Sequence, residues 1–293
     1  MSQVNHLHLL NSIFGHKTFR GQQEKIVLHL CSGEDCLVLM PTSAGKSLCY
    51  QIPALMRDGI GVIISPLIAL MKDQVDNLNE MGIRARALNS SLSFNEVLEV
   101  QKLLREGRLD LLYLAPEKLA NKSFFSFLKT LNIALFAIDE AHCISEWGHD
   151  FRPSYLQLGH LKKDFPEVPL IALTATADKQ TRVEILGKLK IPEENLFLSS
   201  FDRPNISYEI IEKKRPKEQL LAFLNENKGE SGIVYCMSRK KVEDLASWLT
   251  EKGLKALPYQ AGLDEKLRER NQNTFIKEEE IIMVATVAFG MGI

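Results

Sequence analysis

The sequence predicts an α/β fold in which two parallel-sheet domains follow one another along the chain. Short apolar, β-branched runs at residues 36–40, 62–65, 109–114, 135–139 and 170–174 alternate with helical patterns, as stacked βαβ units require. A second series follows, with runs at 232–236, 255–259 and 281–285 separated by helical patterns at 240–252 and 264–276. Between the two lies a stretch rich in proline and charge, from Asp202-Arg203-Pro204-Asn205 to Lys213-Lys214-Arg215-Pro216, which reads as a connection. The expected layout is a first domain over residues 1–201, a connection over 202–217 and an incomplete second domain over 218–293. The second is expected to be incomplete because a short unit with so few strands buries too small a fraction of its surface.

Taken in order, each strand of the first series delivers polar residues to one edge of the sheet. The run 36–40 leads into Met40-Pro41-Thr42-Ser43-Ala44-Gly45-Lys46-Ser47, and the run 62–65 ends at Ser65. The run 135–139 ends in Asp139-Glu140-Ala141-His142, and the run 170–174 passes into Thr174-Ala175-Thr176. Strands of a parallel sheet point the same way, so these endings share its carboxyl edge, where nucleotides bind in open α/β folds. No internal repeat or low-complexity tract is present, although the two series could be distant copies of one fold.

Composition narrows the function classes. The chain of 293 residues is 45% hydrophobic and 25% charged, and 36 basic residues nearly balance 37 acidic ones for a net charge of −1. That balance argues against a constitutively basic nucleic-acid binder whose affinity comes from counterion release, so any grip on nucleic acid must be local. The cysteines at 31, 36, 49, 143 and 236 are odd in number and scattered, and indicate neither disulfides nor zinc. No apolar run has the length of a membrane span and no signal pattern opens the chain, so the expected location is the cytoplasm, at the nucleoid in a prokaryote, without membrane partners.

The loop before Lys46 has the character of a phosphate cradle. Backbone N–H groups of residues 42–45 and the following helix N-terminus would hold phosphate oxygens, Lys46 would reach the β and γ phosphates, and Ser47 would ligate magnesium. The general pattern wants glycine where Met40 stands, so Gly45-Lys46-Ser47 is the intact core. The carboxylate pair supplies the rest of a phosphoryl-transfer site. Asp139 can hold the magnesium-bound water, and Glu140 can orient and deprotonate the attacking water. Alone, the pair could equally be a solvated strand end and His142 a structural histidine.

The run Asp-Glu-Ala-His-Cys-Ile-Ser-Glu-Trp-Gly-His-Asp-Phe-Arg-Pro at 139–153 closely resembles the RecQ family of superfamily 2 DNA helicases. The likeness extends through Phe19-Arg20-Gly21-Gln22-Gln23, Ser65-Pro66-Leu67-Ile68-Ala69-Leu70, Tyr113-Leu114-Ala115-Pro116-Glu117 and Leu173-Thr174-Ala175-Thr176-Ala177. It continues in Ser200-Phe201-Asp202-Arg203-Pro204-Asn205, Tyr235-Cys236-Met237-Ser238-Arg239 and the residues from Val284 to Ile293. It implies two RecA-like domains of the P-loop NTPase type and an ATP-dependent helicase that moves 3′ to 5′ by cyclic domain closure. It also implies ATP and magnesium as cofactors, with no zinc site in this chain, and single-stranded DNA and single-strand/duplex junctions as partners. A monomer is expected.

Residue by residue, the resemblance gives Lys46, Asp139, Glu140 and His142 catalytic roles and assigns Arg20 and Gln23 to adenine. A glutamine amide can meet the donor and acceptor on adenine's edge together. It assigns Trp147, His149, Phe151 and Arg152 to an aromatic-rich loop that senses single-stranded DNA, through ring stacking and guanidinium contacts without sequence preference. Ser65, Thr174 and Thr176, with Arg239 and Thr286 of the second domain, would grip the strand; strand-end hydroxyls and amides hold phosphates without net charge. Trp147 and Phe151, four apart, could instead be core residues of a helix, although Gly148 and Pro153 favour a loop. Arg239 and Thr286 could equally be cap or surface groups.

Three departures from the family pattern matter. Thr42-Ser43-Ala44-Gly45-Lys46-Ser47 replaces Thr-Gly-Gly-Gly-Lys-Ser, and nucleotide binding is expected to survive. His16 stands where relatives place a tyrosine, and Gln260 replaces a histidine. Ile293 falls inside the family's fifth motif, so the sixth, with its arginine finger, lies outside this sequence, and weak DNA stimulation of this chain is expected. Two other activities are compatible with the motifs: binding of ATP and single-stranded DNA without coupling, or translocation without strand separation.

Overall fold

The computed structural model describes residues 5–42, 44–89, 92–146, 151–200, 206–286 and 289. The chain divides into two compact units, Met1–Arg203 and Pro204–Ile293.

The first unit is built on a sheet whose strands are β1 (Cys36–Leu39), β2 (Ile60–Ile64), β3 (Ala85–Leu88), β4 (Leu111–Leu114), β5 (Ile133–Ile138), β6 (Leu170–Thr174) and β7 (Leu196–Leu198). Their order is β3-β4-β2-β5-β6-β1-β7, and every pairing is parallel. The runs read from the sequence are five of these seven strands. The two that were not anticipated are the edges. β3 is Ala-Arg-Ala-Leu with an exposed arginine, and β7 is only three residues long and half covered. An edge strand has one covered side, so its apolar signal is weak.

Interior strands are buried along their whole length, because helices cover both faces of the sheet. Successive side chains enter opposite cores. Leu37, Leu39, Val62, Ile64, Leu112, Leu114, Phe136 and Ile138 pack on one face. Val38, Ile63, Leu111, Tyr113, Leu135 and Ala137 pack on the other. This is the two-residue period of a strand. Gly61 is required by the packing itself, since a Cβ there would stand 2.6 Å from the Ala54 side chain and 2.7 Å from that of Leu111.

The second unit carries β8 (Gly232–Tyr235), β9 (Lys255–Tyr259) and β10 (Ile281–Ala285) in the parallel order β8-β10-β9. Helices Pro216–Glu226, Arg239–Glu251 and Glu265–Lys277 accompany them, so helix takes up the last two residues of the stretch read as a connection. Central β10 is fully buried, whereas β8 alternates between half-covered and exposed residues. Its exposed members are Ile233 and Tyr235. Among the described residues no helix is long and apolar enough to cross a membrane.

Candidate functional site

The chain leaves β1 at Met40 and turns through Gly45, whose φ of +75° is the left-handed region that glycine enters at low cost. Space is a second constraint: a Cβ at Gly45 would lie 2.5 Å from Gln23 Nε2. The Gln23 side chain is 2% exposed and fully engaged. Its Nε2 donates to the carbonyls of Ala44 at 3.0 Å and Gly45 at 3.2 Å, and its Oε1 accepts the Arg20 N–H at 2.8 Å. The residue expected to read adenine therefore buttresses the phosphate loop. Arg20 and Thr42 have exposed side chains, and Ser43 lies outside the described residues.

Lys46 folds over the loop, its Nζ donating to the Met40 carbonyl at 3.3 Å and the Pro41 carbonyl at 3.5 Å. Ser47 takes helical backbone angles at the start of helix Leu48–Met56, and its hydroxyl does not cap that helix. The first N–H groups of the helix turn back onto the loop, that of Leu48 donating to the Gly45 carbonyl at 3.3 Å and that of Cys49 to the Lys46 carbonyl at 3.1 Å.

Asp139 follows β5 and extends the ladder by donating its N–H to the Ile64 carbonyl at 2.9 Å. Glu140 then takes φ 49° and ψ 46°, an uncommon conformation for a side chain of this size, costing on the order of 1 to 3 kcal/mol. The turn directs the Glu140 N–H back onto Asp139 Oδ1 at 3.0 Å. Loss of hydration, and then the Glu140 charge, push the Asp139 carboxyl up to about 6, against the opposing pull of Lys46 and His142. By area Asp139 is only partly covered, so water still reaches its outer side.

His142, 6% exposed, ties the carboxylate pair to the next strand. Its Nδ1 lies 2.8 Å from Thr174 Oγ1 and 3.2 Å from Glu140 Oε2. Thr174 Oγ1 donates to the Thr176 carbonyl and accepts the Thr176 N–H, each at 3.1 Å. Thr174 Oγ1 thus stands within hydrogen-bonding distance of His142 Nδ1 and of both the carbonyl and the N–H of Thr176.

A buried polar cluster behind the loop escaped sequence reasoning. The Tyr50 and Tyr113 hydroxyls lie 3.3 Å apart, and Gln51 Nε2 donates to Tyr113 at 3.4 Å and to Gln74 Oε1 at 3.3 Å. Burial pushes the Tyr113 phenol up to about 12 and raises that of Tyr50 as well. The available sequence signal was Tyr50-Gln51 inside an otherwise apolar first turn after Ser47.

Of the aromatic-rich loop, Trp147 and His149 lie outside the described residues. Phe151 is half-buried, and Arg152 donates from Nη1 to the Pro66 carbonyl at 3.0 Å and from its N–H to the Cys143 carbonyl at 3.0 Å. Ser65 is 2% exposed, with its hydroxyl enclosed and, among the described residues, unpartnered. Thr174 is fully buried and Thr176 exposed. In the second unit, exposed Arg239 opens a helix capped by Ser238, while Thr286 donates its N–H to the Tyr259 carbonyl at 3.2 Å. Gln260 is 3% exposed and spent internally, its Nε2 on Glu243 Oε1 at 2.8 Å and its Oε1 on the Gly262 N–H at 2.5 Å. Each sheet thus gathers its candidate residues at its own carboxyl edge.

Comparisons with known proteins agree with this geometry. A family described as DEAD/DEAH box helicase matches residues 20–185, and one described as helicase conserved C-terminal domain matches residues 215–293. The chain is 51% identical over 287 residues to an ATP-dependent DNA helicase RecQ of Haemophilus influenzae, covering 98% of this chain and 46% of that protein. Identity to the protein of the same name from Pasteurella multocida is 52%, over 98% of this chain and 45% of that one. The chain therefore spans about half the length of these curated relatives. Among solved structures, Mss116p bound to ssRNA and AMP-PNP superposes with a TM-score of 0.69 at 19% identity, covering 97% of this chain and 63% of that one. At that identity the likeness concerns the fold alone.

Proposed function

The chain belongs to the DEAD/DEAH box helicases, and within them to the RecQ family; on that premise we propose that it is the motor core of an ATP-dependent DNA helicase. The observation that carries the reading is the meeting of Lys46 and the Asp139–Glu140 pair at one sheet edge, close enough for the ammonium to act on the Asp139 carboxyl. Loop amides, the start of helix Leu48–Met56 and Lys46 bind the triphosphate. Glu140 takes the proton of the attacking water as the bond between the γ phosphorus and the bridging oxygen breaks, and ADP and phosphate leave. Arg20 and Gln23 meet adenine, which requires the Gln23 amide to exchange at least one of its partners in the loop.

A divalent cation fits the donors present. Among the described residues no cluster of three metal-binding side chains exists, but one carboxylate and one hydroxyl are what magnesium needs when it arrives with phosphates. Asp139 and Ser47 would hold it, and when bound it would neutralise charge on the phosphate oxygens. Single-stranded DNA, and its junctions with duplex, are the proposed partners. The contacts would come from Trp147, His149, Phe151, Arg152, Ser65, Thr174 and Thr176, and from Arg239 and Thr286. We place the protein in the cytoplasm, working as a monomer with 3′ to 5′ movement.

Two substitutions test the reading. Lys46→Ala is expected to weaken binding of a fluorescent ATP analogue by about tenfold to a hundredfold, the worth of a charge-assisted contact. Glu140→Gln is expected to keep that binding and lower phosphate release by about 10²- to 10⁴-fold, since an amide cannot take the proton. Wild-type binding and turnover in both variants would remove the assignment.

A further inference from the structure

The residues that separate the carboxylate pair from the far side of the aromatic-rich loop are closed into a ring of hydrogen bonds. The Cys143 N–H donates to the Glu140 carbonyl at 2.9 Å, the Arg152 N–H to the Cys143 carbonyl at 3.0 Å, and the Tyr155 N–H to the Arg152 carbonyl at 2.9 Å. The ring is completed by a side chain, the Tyr155 hydroxyl, which donates to the Asp139 carbonyl at 2.9 Å. Tyr155 is fully buried, at the head of the short helix Pro153–Leu156.

The place of this last bond is what gives it meaning. The Asp139 carbonyl belongs to the peptide between the two carboxylates, and Glu140 on its other side sits in the costly left-handed conformation. A conformation of that kind persists only where its surroundings hold it, and the peptide orientation here fixes where both carboxylates point. Arg152, two bonds further round the ring, is itself tied to the Pro66 carbonyl beyond β2. The chain at Arg152 therefore has a short, hydrogen-bonded route to Asp139, in which the Tyr155 hydroxyl is a side-chain link.

We propose that Tyr155 is a positioning residue that holds the Asp139–Glu140 peptide and couples it to the backbone at Cys143 and Arg152. The proposal deepens the helicase reading and rests on it for the role of the carboxylates, whereas the mechanical coupling stands on the ring itself. Tyr155 touches no substrate, so its effect is on where the carboxylates stand.

The experiment compares the whole chain with Tyr155→Phe, which keeps the ring in the core and removes the hydroxyl alone. Hydrogen exchange is followed in peptides covering 139–146 and 151–158, with and without an oligo-dT single strand, beside steady-state ATPase. In the variant, exchange in both segments is expected to rise together by about tenfold, the worth of one buried hydrogen bond, with peptides of β1 and helix Leu48–Met56 unchanged. Oligo-dT is expected to alter exchange at 139–146 in the wild type and not in the variant. The kcat for ATP, normalised to the folded fraction, is expected to fall about tenfold while KM stays within twofold, as for an interaction that acts on turnover and not on substrate binding. Unchanged exchange at 139–146 in the variant, or a rise in KM with kcat retained, would overturn the positioning role. A wild-type chain that neither binds ATP nor responds to oligo-dT would overturn the helicase reading instead, and the exchange of the unliganded variant would still decide whether Tyr155 holds the peptide.

Discussion

The two units solve the same architectural problem to different depths. In the first, five interior strands are covered on both faces, and an uncommon backbone conformation at Glu140 is surrounded by bonds that hold it. In the second, only β10 is fully buried, and Ile233 and Tyr235 of β8 remain 40% and 54% exposed. Burial is what lets a fold tolerate strain and a partly dehydrated carboxylate. The carboxylate pair, which has both, accordingly stands on the more fully covered sheet.

That contrast can be broken most directly in the cores. Phe136→Ala, in the middle of β5, should cost about 3 to 5 kcal/mol of stability, whereas Ile233→Ala on β8 should stay within about 0.5 kcal/mol. Denaturant melts of both variants, followed separately in the two units by exchange, measure the difference. Equal losses would mean that β8 is far better packed than its exposure indicates.

A smaller effect isolates the cost of the buried acid. The Asp139 carboxyl is raised to about 6, above its ordinary value of 3.8, so the folded state holds a proton that the unfolded state has released. Its contribution is fully present below about pH 4 and is lost as pH rises through about 6. Asp139→Asn should therefore leave stability unchanged near pH 4 and raise it by about 1 to 2 kcal/mol at pH 8, after discounting for the water that reaches the carboxylate. Melting temperatures across that range settle the sign; stabilisation confined to low pH would contradict it.

The smallest expected effect lies in the second unit. Tyr235 donates its hydroxyl to the Phe289 carbonyl at 2.8 Å. Because the tyrosine is half exposed, Tyr235→Phe should cost only about 0.5 kcal/mol, since water replaces the lost partner. A cost several times larger would place this bond among the main supports of the unit.

Legibility followed the same division. The interior strands announced themselves as continuous apolar runs, and β6 and β10 begin and end where the runs at 170–174 and 281–285 do; β9, an edge of the second sheet, also matches its run at 255–259. Edges β3 and β7 did not, because an arginine interrupts one and the other is three residues long. In the candidate site, the phosphate loop and carboxylate pair were readable because each is contiguous. Gln23 carried a motif that the sequence tied to adenine, but its hold on Ala44 and Gly45 depends on how helix Gln23–Cys31 packs. Tyr113 carried only its place in a motif, Tyr50 only its position beside Gln51, and Tyr155, after Arg152-Pro153-Ser154, no signal of its own.

By itself the sequence determined the fold class and the two βα series, and it marked the short segments proposed to carry phosphate chemistry. Those properties reside in runs of neighbouring residues, where period, glycine placement and charge are set by the chain locally. Only the tertiary structure decided that His142 Nδ1 meets Thr174, that Ser65 is enclosed, and that the Tyr155 hydroxyl closes a ring onto Asp139. Each of these joins residues brought together by strand order and helix packing. Such contacts leave no periodic trace in the sequence, because a single buried hydroxyl answers to its partner and not to its neighbours in the chain.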